Sequence, residues 1–204
     1  HPGLFSSIAG ALAVSGANIV GAKIFTMTNG MALDTFAVQD AAGGAITQKQ
    51  QLDRLRERIE QTLHGQLRPS RELEKKTSIP SRTSIFTVAP RVLVSNSASR
   101  THSVIEINGR DRPGLLHDVT KELTDLGLQI SSALITTYGE RAVDVFYVKD
   151  AFGMQVTHDA KLQVIHDRVL AALARDKSSE EAGPDSGNSR TAREKSAGSV
   201  SAGV

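Results

Sequence analysis

The stretch Asp111-Arg112-Pro113-Gly114-Leu115-Leu116 sets an acid, a base, a proline and a glycine directly before an apolar run of helical spacing. With Pro113 as the first helical residue the cap position falls on Arg112, a poor cap, so amide groups at the helix start lack a side-chain acceptor. Gly114 removes the Cβ that would keep a ligand away, and the positive end of the helix dipole attracts a carboxylate. Asp111 stands where it can receive a cation such as an ammonium group. A free α-amino acid carries both charges on one small headgroup and suits such a turn. The same residues also read as a plain tight turn with Asp111 itself as the cap.

The motif is written twice. Pro2-Gly3-Leu4-Phe5 and Pro113-Gly114-Leu115-Leu116 stand 113 − 2 = 111 residues apart, and that spacing aligns Leu12 with Leu123, Gly16 with Gly127, Ile19 with Ile130 and Ile24 with Ile135. After one residue is dropped near Asn29-Gly30 the spacing becomes 110, and Asp34, Phe36, Val38, Asp40 and Gly43 meet Asp144, Phe146, Val148, Asp150 and Gly153. Two copies of one domain are expected. The first-copy loop is then His1, Pro2, Gly3, Leu4 and Phe5. Asn18 and Gln129, each just after a helix-ending glycine, are candidates for holding a ligand side chain. The strand Ser103 to Gly109 precedes the second loop, but the chain opens at His1, so the first copy reads as a fragment without its first strand and acidic residue.

Other chemistries find less support. His117-Asp118, His158-Asp159 and His166-Asp167 invite a metal reading, but further converging His and Asp ligands are not evident, so no metal site is expected. No Ser-His-Asp arrangement, Walker loop or dinucleotide-binding loop is present, and no catalytic residue is assigned. With 24 Lys and Arg against 22 Asp and Glu, charge argues for neither a nucleic-acid nor a membrane partner. An aromatic content of 4% is too low for a stacking RNA-binding sheet. The absence of Cys excludes disulfides and thiolate sites, and no signal peptide or long apolar run appears, which points to the cytoplasm.

Each copy reads as the same elements. Leu115, Leu116, Val119, Leu123 and Leu126 recur at helical spacing. Ile130 to Thr137 and Ala142 to Val148 form a hairpin through Tyr138-Gly139-Glu140. Leu162, Ile165, Val169 and Leu173 mark a second helix, mirrored by Leu52, Leu55, Ile59 and Leu63. The expected fold class is α+β, two tandem ferredoxin-like βαββαβ domains with antiparallel sheets and helices on one face. The boundaries expected are 1–67 for the first domain, 68–101 for a linker with a strand near 91–95, 102–175 for the second domain and 176–204 for a disordered tail. Val92 to Val94 can pair with Val104 to Ile107. Residues 68–84, polar, basic and carrying Pro69 and Pro80, read as a connection rather than a packed element.

The Pro-Gly-Leu turn, Gly16-Ala17-Asn18-Ile19 and the Asp-x-Phe-x-Val-x-Asp strands ending at Asp40 and Asp150 resemble ACT domains, regulatory modules of amino-acid metabolism. The pair is similar to the C-terminal tandem of the bifunctional PII uridylyltransferase/uridylyl-removing family, across most of residues 1–173. That resemblance implies glutamine as ligand and PII signal protein as a partner of the whole enzyme; the turn itself suits any free amino acid, and apolar residues on both faces of Ala142 to Tyr147 point to ACT–ACT pairing within or between chains. The resemblance further implies upstream nucleotidyltransferase and hydrolase domains that use Mg2+, with no cofactor in this fragment. Carried over by position, the ligand residues are Asp111 to Leu116 with Gln129 and Ile130, and His1 to Phe5 with Asn18 and Ile19. Competing with this amino-acid sensor are a ligand-free dimerisation or interaction module and an ACT sensor of another protein of amino-acid metabolism.

Overall fold

Period-2 alternation on strands and helical stripes such as Leu115, Val119 and Leu123 or Ile165, Val169 and Leu173 require a sheet that buries one face under helices. The computed structural model describes residues 3–27, 29, 31–76 and 89–175. Its order is α1 (Leu4–Val14), β1 (Asn18–Thr26), β2 (Ala32–Gln39), α2 (Lys49–Leu63), α3 (Pro69–Lys76), β3 (Arg91–Ser95), β4 (Ser103–Arg110), α4 (Leu115–Asp125), β5 (Gln129–Tyr138), β6 (Arg141–Lys149) and α5 (Asp159–Ala174). The six strands form one antiparallel sheet in the order β2-β1-β5-β6-β4-β3. This is the α+β, ferredoxin-like layout of ACT domains. The second copy takes its fourth strand from the segment before it, since β3 pairs with β4.

The register shows how the copies meet. In the β1–β5 pair Lys23 lies opposite Leu134, its own counterpart 111 residues on, with Ala22 opposite Ile135 and Ile24 opposite Ala133. A pseudo-two-fold axis therefore passes between Lys23 and Leu134. The irregularity between Ile19 and Gly21 on β1 recurs between Ile130 and Ser132 on β5, again 111 residues away. One row of residues crosses the whole sheet: Phe36, Ala22, Ile135, Asp144, Ile107 and Val92. Below it the core is closed by Leu115, Val119 and Leu123 of α4 and Ile165 and Val169 of α5. Phe5 of α1 stacks on Phe36, with ring centroids 5.2 Å apart.

The copies differ where strands are missing. Leu173 of α5 rests on Gly109 of β4 and is buried, whereas its counterpart Leu63 on α2 is 49% exposed. Among the described residues no strand stands beside the outer edge of β2, so α2 lacks the backbone that α5 covers. Residues 68–84 were expected to form an unpacked connection, but residues 69–76 are helical and packed: Leu73 is buried with Ala13 and Val14 of α1. A single apolar side chain in a polar, basic stretch carries no periodicity, which is why α3 escapes a sequence reading. The tail 176–204 and residues 77–88 of the connection lie outside the described residues.

Candidate functional site

The turn ahead of α4 begins the helix later than expected. Pro113 is outside it, and Gly114 occupies the cap position in the left-handed region at φ 81, with no side-chain cap bond. Gly3 repeats this ahead of α1 at φ 80. An L side chain would be strained there, so glycine at this step is a backbone requirement of both copies. Asp111 is not a cap either. Its own N–H donates to Glu140 O at 2.8 Å, anchoring the turn to the β5–β6 hairpin. Burial pushes its carboxyl up, against the pull of the Arg112 N–H and charge.

Donors at the turn are only partly used. Leu115 N–H reaches Arg112 O at 3.0 Å and Asp118 N–H reaches Gly114 O at 2.9 Å, while those of Gly114 and Leu116 meet no backbone acceptor among the described residues. The Arg112 side chain folds back into the protein. Its Nη2 lies 2.8 Å from Asp118 Oδ2 and donates to Ala172 O at 3.0 Å, pinning the turn to α4 and α5. Its Nε and Nη1 are buried and have no hydrogen-bond acceptor among the described residues. Backbone amides, a guanidinium and a carboxylate thus converge on one turn.

The turn faces the other copy. A cavity of about 220 Å³ is lined by Asp111 to Leu116 together with Ala9, Ala13, Asn18 and Ile19, and closed by Gly139 and Glu140. The expectation joined Asp111–Leu116 with Gln129 and Ile130 of its own copy; neither lines this cavity. Gln129 is exposed and paired with Lys149, and Ile130 is half-buried at the strand irregularity. The pseudo-two-fold axis explains the exchange. Antiparallel β1–β5 pairing brings α1 and the start of β1 over to the second-copy turn, and on the other side α4 lies against Gly3, where an added Cβ would stand 3.6 Å from Thr124 Cγ2. His1 and Pro2 lie outside the described residues.

Ala9, Ala13 and His117 also line the cavity, outside the expected ligand set. Small residues at Ala9 and Ala13, one helical turn apart, make room on α1. His117 is buried, its Nδ1 2.7 Å from the carbonyl of Ser6, its own repeat counterpart, and its Nε2 3.0 Å from Ser70 Oγ. It is a bridge between α4, α1 and α3, and among the described residues no group of three or more His, Cys, Asp or Glu could hold a metal ion. Behind the turn, α3 seats Leu73 so that a Cβ on Gly114 would lie 3.0 Å from Leu73 Cδ1.

Beneath the turn lies a buried acid. Asp144 is 2% exposed in the row between Ile107 and Ile135. Its pKa is pushed up to about 7 by burial, opposed by the Thr136 N–H bond and raised further by Asp111. Its counterpart Asp34 is also raised by burial, and one of its oxygens is buried without a hydrogen-bond partner among the described residues.

Comparison with known proteins defines the class. Residues 98–175 match the ACR family N-terminal ACT domain, so the chain carries an ACT domain there. Across both copies it is similar to the bifunctional uridylyltransferase/uridylyl-removing enzymes of Azospirillum brasilense, Rhodospirillum rubrum and Gluconobacter oxydans, being 62%, 53% and 55% identical to them over 85% of its length. It spans about a fifth of the length of these relatives, covering 19%, 19% and 18% of each.

Proposed function

We propose that this chain is an amino-acid-sensing regulatory region, with glutamine as its ligand, of a bifunctional enzyme that uridylylates PII signal protein and removes the uridylyl group. The observation that carries the ligand reading is the cavity at the junction of the copies. There the amides of Gly114 and Leu116 supply donors for a carboxylate, Asp111 an acceptor for an ammonium group, and Asn18 an amide for a polar side chain. Similarity to relatives named as uridylyltransferase and uridylyl-removing enzymes supports the setting of uridylyl transfer and removal; glutamine and PII are what the resemblance of the tandem implies. Catalysis, with its Mg2+, belongs on this reading to parts of the enzyme beyond this chain, and the enzyme works in the cytoplasm. Among the described residues no helix is long and apolar enough to cross a membrane.

A ligand that binds only the folded state stabilises it by mass action, by about 2.7 kcal/mol at a hundredfold excess over Kd. Glutamine should therefore raise the melting temperature of the chain, glutamate and alanine should not match it, and Asp111→Asn should abolish the rise. No rise with any amino acid would favour an interaction module instead. A rise unchanged in Asp111→Asn would place the ligand elsewhere.

A further inference from the structure

A second cleft lies away from the amino-acid cavity, between the end of α2 and α3. It encloses about 600 Å³ and is bordered by Arg58, Gln61, Arg68, Arg71, Glu72 and Lys75. The spacing makes it. Arg58 and Gln61 are three residues apart on α2, while Arg68, Arg71 and Lys75 recur at helical spacing along α3 and its lead-in. The chain between the helices turns at Gly65, and Leu67 anchors it by burial.

Charge in this cleft is not balanced. Four cations border it against one carboxylate, Glu72, which already pairs with Lys75 at 3.0 Å. Among the described residues Arg58, Arg68 and Arg71 make no ion pair, whereas Arg112, Arg168 and Arg175 each have a carboxylate. The whole chain carries only a net +2, so this is a local concentration in a nearly neutral protein. Like charges held in a concave surface repel one another and focus a positive potential, which an anion relieves. Guanidinium groups match phosphate oxygens in forked, charge-assisted pairs, and the Gln61 amide, which donates one N–H to Glu57 Oε1 at 3.0 Å, has a second N–H as a neutral donor.

We propose that the α2–α3 cleft binds a small multivalent phosphate-bearing anion. The site is independent of the amino-acid reading, because none of its residues lines the cavity at Asp111. The test uses the full chain without amino acid and sodium pyrophosphate as the probe, with sodium sulfate at equal ionic strength as control. Pyrophosphate should raise the melting temperature more than sulfate, and Arg58→Gln and Arg71→Gln should each weaken its apparent affinity about tenfold. Both side chains are exposed, so the variants fold; Arg91→Gln, an exposed arginine on the edge strand β3, should bind as the parent chain does. The proposal is overturned if pyrophosphate and sulfate act alike, if Arg58→Gln and Arg71→Gln bind unchanged, or if polyglutamate binds where pyrophosphate does not, which would mark a protein-docking face.

Discussion

Replacing Asp144 by Asn tests the electrostatics beneath the site. In the folded chain this carboxyl is 2% exposed between Ile107 and Ile135, and its pKa stands at about 7 against the ordinary 3.8. The folded state therefore holds a proton that the unfolded chain releases as pH rises past 3.8, so stability falls through the window from 3.8 to about 7 and levels off above it. At about 1.4 kcal/mol per tenfold change in proton affinity, the loss approaches roughly 4 kcal/mol once the group is ionised. Asn keeps the shape and cannot ionise. Urea unfolding followed by circular dichroism should show Asp144→Asn and the parent chain nearly equal at about pH 4, with the variant more stable by up to about 4 kcal/mol at about pH 8. Asp111 and Asp34, also raised by burial, leave the variant a residual slope of the same sign. If the variant tracked the parent at both pH values, or were the less stable at high pH, a buried neutral acid at this position would be excluded.

Gly114→Ala forces an L residue to φ 81 and sets a Cβ 3.0 Å from Leu73 Cδ1. It should lower stability by about 1–2 kcal/mol, and Leu73→Ala in the same chain should relieve only the contact and not the backbone strain; a neutral Gly114→Ala in chemical denaturation would contradict the left-handed cap. Leu73→Ala alone empties the seat of α3 on Ala13 and Val14 and should cost about 3 kcal/mol in the same assay, whereas a change below about 0.5 kcal/mol would mean that α3 is not packed.

Much of the local structure was legible because it is written in short-range patterns. The stripe Leu115, Leu116, Val119, Leu123 announces α4, and it lies buried in the core. The glycines Gly3 and Gly114 ahead of α1 and α4 mark a turn whose backbone only glycine enters comfortably, although α4 starts at Leu115 rather than at Pro113. The repeat aligned Asp40 with Asp150 as strand ends; the structure adds that each accepts two backbone N–H groups there, with Gly43 and Gly153 following at positive φ. α3 left no such trace, since one buried leucine among charges has no period to detect.

What the residues alone determined was the duplicated unit, its helices and hairpins, and the chemistry of the turn at Asp111 to Leu116, all set by neighbours within a few positions in the chain. Only the tertiary structure decided which residues meet there. The β1–β5 register, with Lys23 opposite Leu134, carries Asn18 and Ile19 to the second-copy turn and takes Gln129 and Ile130 away from it. That choice depends on two strand edges more than a hundred residues apart finding one another so that the apolar rows of both copies run on as one. No local pattern encodes it.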